Sequence, residues 1–213
     1  MHAELIDYIR RNRVSTTEVA DCLNKTGVLA GVSALNRGHF CVGSVSWVYA
    51  WNETNWTIHE QIRDVPEGNI VIMDAFECKD RALVGDLVCK YLLLYQQMRA
   101  IVVRGNVRDV PRLIKENWPI WCEGRNPVGC FNHPPEGRPS PEQLAISSRF
   151  EGAIAVCDDC GVVIIEKEHQ TPELLKRLEA IEELEDIWYD CVNRRKWSTF
   201  DTVCLKKYLD ESQ

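Results

Sequence analysis

Arg108 and Asp109 stand side by side, and together with Gly85 and Asp86 they are the residues whose types and spacing suit chemistry. An arginine presents five N–H donors in a planar fork that matches a carboxylate, whereas an aspartate presents only oxygens and suits a hard divalent cation. A clamp for a substrate carboxylate beside a metal ligand is the simplest combined chemistry. Gly85-Asp86 opens a segment in which Leu87, Val88, Tyr91, Leu92, Tyr95 and Met98 recur at spacings of three and four, the period of an amphipathic helix. Unpaired N–H groups and the positive end of the dipole at such a helix start favour an anionic group. A plainer reading stands beside this one. Asp86 and Asp109 would each be an N-cap, Pro111 would sit in a first helical turn, and Arg108 would be a surface ion-pair partner.

The elements that must position these residues follow from the apolar patterning. Ala100 to Val103 is a short apolar run suited to a buried strand, and Gly105-Asn106 predicts a turn from which Arg108 and Asp109 emerge. Upstream, Ile70 to Met73 predicts another buried strand, leading by a polar loop through Asp74, Glu77 and Asp80 to Gly85. Downstream come a helix over 110–117 and a strand at Pro119-Ile120-Trp121-Cys122. This alternation of strand and helix predicts an α/β layer with partly parallel pairing.

Residues 3–13 predict a helix, and Ser15-Thr16-Thr17-Glu18 caps a second one that Gly27 ends. Phe40, Val42, Val45, Trp47 and Tyr49 nearly alternate, as in one or two strands, and 55–63 predicts a helix on which His59 reads as a packed structural residue. Residues 124–149, rich in proline and glycine, predict a long loop that acts as a lid or an oligomer arm, with Arg125 near its start. The C-terminal segment 171–213 is helical. Its stripe of Leu174, Leu175, Leu178, Ile181, Leu184, Ile187 and Trp188 predicts burial against the sheet or a neighbouring subunit.

With 213 residues the chain predicts a single domain. A net charge of −7 argues against a nucleic-acid surface; the basic clusters Arg10-Arg11-Asn12-Arg13 and Arg194-Arg195-Lys196 read as solvated helix faces. The charged start Met1-His2-Ala3-Glu4 has no apolar core of a secretory signal, and no apolar run approaches a membrane span, so a cytoplasmic location is expected. Of the ten cysteines, only Cys157-Asp158-Asp159-Cys160 has ligand-like spacing. A zinc site or redox dithiol there competes with a turn between strands at 153–156 and 161–165, and the turn is the expected outcome.

An ordered set of segments resembles the RraA-like family, which holds regulators of ribonuclease E activity and class II 4-hydroxy-4-methyl-2-oxoglutarate aldolases. The set runs from Ser15-Thr16-Thr17-Glu18 through Pro66-Glu67-Gly68-Asn69 and Arg81-Ala82-Leu83-Val84-Gly85-Asp86 to Val102-Val103-Arg104-Gly105-Asn106-Val107-Arg108-Asp109. It continues in Pro119-Ile120-Trp121, Asn126-Pro127 and Asp158-Asp159-Cys160-Gly161. The resemblance implies an α/β swivelling β/β/α-type fold, assembled as a homotrimer or hexamer with sites at subunit boundaries. It implies a lyase acting on a small 2-oxo acid with release of pyruvate. Arg108 would bind the pyruvate carboxylate, Asp109 would hold Mg²⁺ or Mn²⁺, Gly85, Asp86, Leu87 and Val88 would contribute backbone donors, and Asp86 would move a proton through water. The alternative the family offers is a non-catalytic regulator of ribonuclease or helicase assemblies.

Three departures from the aldolase pattern stand out. The interval between Asp86 and Arg108 holds 21 residues, longer than aldolases usually have, so either the helix carries an insertion or Leu87 takes the acidic place. Arg104 stands where aldolases commonly have Asp, which would add a cation near the metal. The family's Pro-Gly-Asp reads Glu151-Gly152-Ala153 here.

Overall fold

The computed structural model describes residues 1–212 as two compact units, Met1–Gln170 and the segment from Thr171 onward. The first unit carries strands β1 (Ser33–Ala34), β2 (Cys41–Trp51), β3 (Ile70–Phe76), β4 (Ala82–Val84), β5 (Ala100–Val107), β6 (Ile120–Arg125), β7 (Ile154–Asp158) and β8 (Gly161–Ile165). Its helices are α1 (His2–Asn12), α2 (Thr16–Cys22), α3 (Trp56–Gln61), α4 (Asp86–Lys90), α5 (Val110–Lys115), α6 (Pro141–Leu144) and α7 (Ser147–Phe150).

The strands run in the order β1-β6-β5-β3-β2-β7-β8, with β4 also paired to β5. Strands β2, β3, β5 and β6 are mutually parallel, whereas β7 and β8 form an antiparallel hairpin. The long strand β2 belongs to both parts. Its residues Cys41–Ser44 pair with β7 and Val45–Trp51 pair with β3, so one strand carries the hairpin across the parallel layer.

Side chains on the parallel strands alternate between two cores. Val71, Met73, Ile101, Val103 and Ile120 pack with Ile58, Val88, Leu92 and Leu113 from the helices. Ile70, Ile72, Ala100, Val102 and Trp121 pack with Ala155, Cys157, Val162 and Ile164 of the hairpin. Burial on both faces is why these strands read as unbroken apolar runs. The layers are therefore hairpin, parallel sheet and helices, the β/β/α arrangement expected. Cys157 and Cys160 flank the β7–β8 turn, and all ten cysteines are free.

Some local expectations are corrected. Gly105-Asn106 is not a turn. Strand β5 continues to Val107, with a register shift against β6 between Val103 and Asn106, because β4 supplies further pairing that the run of apolar residues could not reveal. The expected regular helix after Gly85 is α4 followed by a π-helical turn at Tyr91–Tyr95. Its stripe is split: Val88, Leu92 and Met98 are buried, whereas Leu87, Tyr91 and Tyr95 are exposed.

The second unit begins with α8 (Pro172–Asn193), whose cap residue Thr171 accepts the Leu174 N–H at 3.2 Å. Its predicted apolar stripe is buried only at Leu174 and Leu178, while Ile181, Leu184 and Trp188 are half-buried and Ile187 is exposed. A helix pattern alone does not supply the neighbour that would cover it. Among the described residues no helix is long and apolar enough to cross a membrane.

Ile72 is fully buried between the parallel sheet and the hairpin. Ile72→Ala is expected to cost about 2–5 kcal/mol, read as a lowered urea midpoint with an unchanged slope.

Candidate functional site

Parallel pairing of β4 with β5 places Gly85 and Arg108-Asp109 at adjacent strand ends: Val84 faces Val107, and the Arg108 N–H donates to the Val84 carbonyl at 3.0 Å. Such carboxyl ends of parallel strands are where α/β sheets bind ligands. Asp109 adopts the left-handed conformation, φ 58 and ψ 28, and its carbonyl accepts the Arg112 N–H at 2.9 Å as α5 begins. Its side chain does not cap α5. It turns to the start of α4, where the Asp86 N–H donates to Asp109 Oδ2 at 3.3 Å. A Cβ on Gly85 would collide with that oxygen, and one on Gly129 would collide with Arg108 Nη1. Glycine at both positions is what lets the two side chains lie where they do.

The plain capping role fails for Asp86 as well. The N-cap of α4 is Gly85, and the Asp86 carboxylate instead accepts from Arg112 Nη1 at 2.5 Å. That hydrogen bond holds the Asp86 carboxyl below the usual carboxylate range. Arg108 approaches a carboxylate only loosely, with Nε 3.7 Å from Asp109 Oδ2, and is about half exposed.

A cavity of about 420 Å³ opens over these residues, bordered by Asn55, Trp56 and His59, by Gly85 to Val88, by Arg108 and Asp109, and by Cys130 and Asn132. Gly85, Asp86, Leu87, Val88, Arg108 and Asp109 are thus all brought to one wall. Asn55, Trp56, Cys130 and Asn132 were not anticipated. Their proximity comes from the Pro-rich segment, which pairs with β4: the Ala82 N–H donates to Val128 O at 2.8 Å and the Cys130 N–H to Ala82 O at 3.0 Å. Asn55 is the link, donating to Leu83 O at 2.8 Å and accepting from Asn132 Nδ2 at 2.7 Å. The length of the loop was the only signal for this. His59 is not a packed core residue. It is exposed on the cavity wall, and partial burial lowers its imidazole pKa below the ordinary value.

Arg104 and Asp74 do not belong to the cavity. They face the hairpin side of the sheet, where Arg104 Nη1 lies 2.7 Å from Asp74 Oδ1 and Trp47 Nε1 donates to Asp74 Oδ2 at 2.6 Å. The cation expected near the metal is therefore engaged elsewhere, because β5 alternates its side chains between faces and residue 104 points away. Arg125 is exposed and does not line the cavity.

No cluster of three or more His, Cys, Asp or Glu side chains suited to a metal occurs among the described residues. Mg²⁺ needs no such cluster, since it is held by one or two carboxylates with water and substrate oxygens completing its octahedron. Asp109, an oxygen donor at the cavity wall with no short hydrogen bond to its carboxylate, fits that requirement.

A β/β/α layering with a carboxylate and a guanidinium at the ends of parallel strands defines the class of site. The sequence pattern of the RraA-like family, described as Aldolase/RraA, matches residues 16–164, and the chain belongs to that family. The family includes both aldolases and RraA regulators. A Halalkalibacterium halodurans protein named "Putative 4-hydroxy-4-methyl-2-oxoglutarate aldolase" is 27% identical over 121 residues, 56% of this chain and 57% of that one. The chain thus spans little more than half the length of that relative. A solved structure of an uncharacterized Pseudomonas syringae protein superposes with a TM-score of 0.67 at 19% identity, covering 93% of this chain and 96% of the other. Streptomyces coelicolor RraAS2, described as an unusual member of the RNase ES inhibitor RraA protein family, gives 0.64 at 22% identity, covering 86% and 92%. These structures share the fold.

Two measurements check the site geometry. Gly85→Ala is expected to cost about 1 kcal/mol or less, because the carboxylate its Cβ meets ends a half-exposed side chain that can swing aside, and less still in an Asp109→Gly background. Additive costs in urea denaturation would refute the close approach. Arg112→Ala should raise the Asp86 pKa towards the ordinary value, followed by carboxyl NMR. Because the folded pKa is lowered, the Asp86–Arg112 pair contributes at neutral pH and its contribution is lost as pH falls through that lowered pKa.

Proposed function

We propose that this chain is a divalent-metal-dependent lyase that cleaves a C–C bond in a 2-oxo acid and releases pyruvate. The observation that carries the proposal is the meeting of Arg108, the start of α4 and Asp109 on one cavity wall. Arg108 binds the substrate carboxylate through its fork, and the Leu87 and Val88 N–H groups add donors at the helix start. Asp109 holds Mg²⁺ or Mn²⁺. When bound, that cation supplies Lewis-acid stabilisation of negative charge on the 2-oxo oxygen.

Asp86, kept ionised by Arg112, accepts the hydroxyl proton of the substrate through a water. The bond beyond the carbonyl then breaks, its electrons enter the pyruvate enolate, and the enolate carbon takes a proton to give pyruvate. Loss of CO₂ from oxaloacetate reaches the same enolate. The π-helical turn at Tyr91–Tyr95 supports Asp86 in this role, because such a turn accommodates one extra residue and so leaves Asp86 in register at the start of α4. Leu87 and Tyr95, 75% and 70% exposed on this segment, support assembly as a homotrimer or hexamer with a neighbouring subunit beside the cavity.

Pyruvate formation from oxaloacetate and from 4-hydroxy-4-methyl-2-oxoglutarate, measured with Mg²⁺ or Mn²⁺ and again with a chelator, tests the proposal. Turnover is expected only with metal. Arg108→Ala and Asp109→Ala are each expected to lower kcat/KM by about 10²–10³-fold. Unchanged turnover in Arg108→Ala refutes the site, and no pyruvate from either compound shifts the reading to the regulator branch of the family.

A further inference from the structure

A second cavity, of about 350 Å³, is lined by Arg10, Arg13, Phe40, Cys41, Val42 and Arg99, and shares no residue with the first. Two exposed arginines from the end of α1, Arg10 and Arg13, and the exposed Arg99, remote from them in the chain, border it, in a protein of net charge −7 and with no carboxylate in the lining. Among the described residues none of the three forms an ion pair. The neighbouring Arg11 does, with Asp7 at 2.9 Å.

Basic residues in the last turn of α1 offset the helix dipole, which accounts for Arg10 and Arg11. It does not account for Arg99, which arrives from the residue before β5. The Arg99 side chain crosses β2 where Gly43 leaves room: a Cβ there would stand 3.2 Å from Arg99 Cδ. Its backbone is anchored by its own N–H to Asn69 O at 2.9 Å and by the Cys41 thiol donating to its carbonyl at 3.4 Å. Arg13 takes the left-handed cap position, φ 55 and ψ 38, which ordinarily favours glycine, and its guanidinium lies 5.0 Å from the centre of the Phe40 ring. The Cys41 thiol is pushed up to about 11 by burial, against the pull of Arg99, so it adds no negative charge at neutral pH.

We propose that this cavity binds a small phosphorylated metabolite, with its phosphate monoester dianion held among Arg10, Arg13 and Arg99. Three unpaired like charges repel one another, and a dianion with several acceptor oxygens relieves that repulsion better than a single carboxylate does. Arginine forks match phosphate oxygens in pairs. The basic residues form a compact pocket and not a stripe, in a chain of net charge −7, which suits one discrete anion and not a nucleic-acid strand.

Calorimetric titration of the full chain at low ionic strength tests this, with inorganic phosphate, ribose 5-phosphate and adenosine monophosphate as probes and acetate as control. Saturable binding of at least one ester is expected, tighter than that of inorganic phosphate or acetate and weakened by added salt. Arg99→Gln and Arg13→Gly should each weaken it about tenfold or more. Arg13→Gly relieves the left-handed backbone, so its unfolding temperature should not fall and loss of binding cannot be ascribed to unfolding. Arg108→Ala removes the fork of the other cavity and should leave ester affinity unchanged. No saturable binding of either ester, unaltered affinity in both Arg99→Gln and Arg13→Gly, or loss of binding in Arg108→Ala would each overturn the assignment. So would esters that bind no tighter than inorganic phosphate.

Discussion

The site depends on one close approach, that of the Asp109 carboxylate to the backbone of Gly85. Two conditions make it possible. Parallel pairing of β4 and β5 brings the two strand ends level, and residue 85 has no side chain to occupy the space that Asp109 Oδ2 fills. The left-handed backbone of Asp109, which costs a non-glycine residue about 1–2 kcal/mol, turns the carboxylate away from α5 and towards α4. A conventional cap would have used the same side chain to satisfy its own helix. Here the Asp109 carbonyl accepts the Arg112 and Leu113 N–H groups, and the carboxylate remains at the cavity.

The surrounding charges reinforce this selectivity. Arg112 is joined to Asp86, Arg81 to Glu53 and Arg104 to Asp74, each within 2.7 Å. Arg108 has only the 3.7 Å approach to Asp109. Exposed ion pairs add little stability, but they determine which guanidinium at the cavity is left without a short ion pair. The packing of Arg108 against Gly129 then links that availability to the Pro-rich segment, which is stitched to β4 and α3 by backbone hydrogen bonds and the Asn55–Asn132 pair.

Much of the architecture was legible in the sequence because it rests on local or short-period signals. Apolar runs at 70–73 and 100–103 became doubly buried strands, Ser15 formed its capping box with Glu18, and Cys157 and Cys160 flank a hairpin turn. The adjacency of Gly85 to Arg108 and Asp109 was suggested by residue type and by the family pattern. Besides the strand at Gly105-Asn106 and the π-helical turn at Tyr91–Tyr95, which local patterning missed, it did not encode which face or neighbour a residue meets. Tyr91, Tyr95 and Ile187 lie on periodic stripes yet are exposed, and Arg104 was expected near the cavity yet faces the opposite side of the sheet.

The sequence by itself determined most of the strands and helices and their α/β alternation, and it marked Gly85, Asp86, Arg108 and Asp109 by residue type, while the three-layer class came with the family resemblance. The elements and the marked residues follow from hydrophobic period and functional-group chemistry, both properties of short segments. Only the tertiary structure decided that strand β5 runs on through Gly105 beside β4, that Asn55, His59, Cys130 and Asn132 border the cavity, and that Arg10 and Arg13 line a second cavity with Arg99. Each of these depends on pairing between residues remote in the chain, and no local spacing encodes which strand edges meet or which side chains their meeting leaves without a partner.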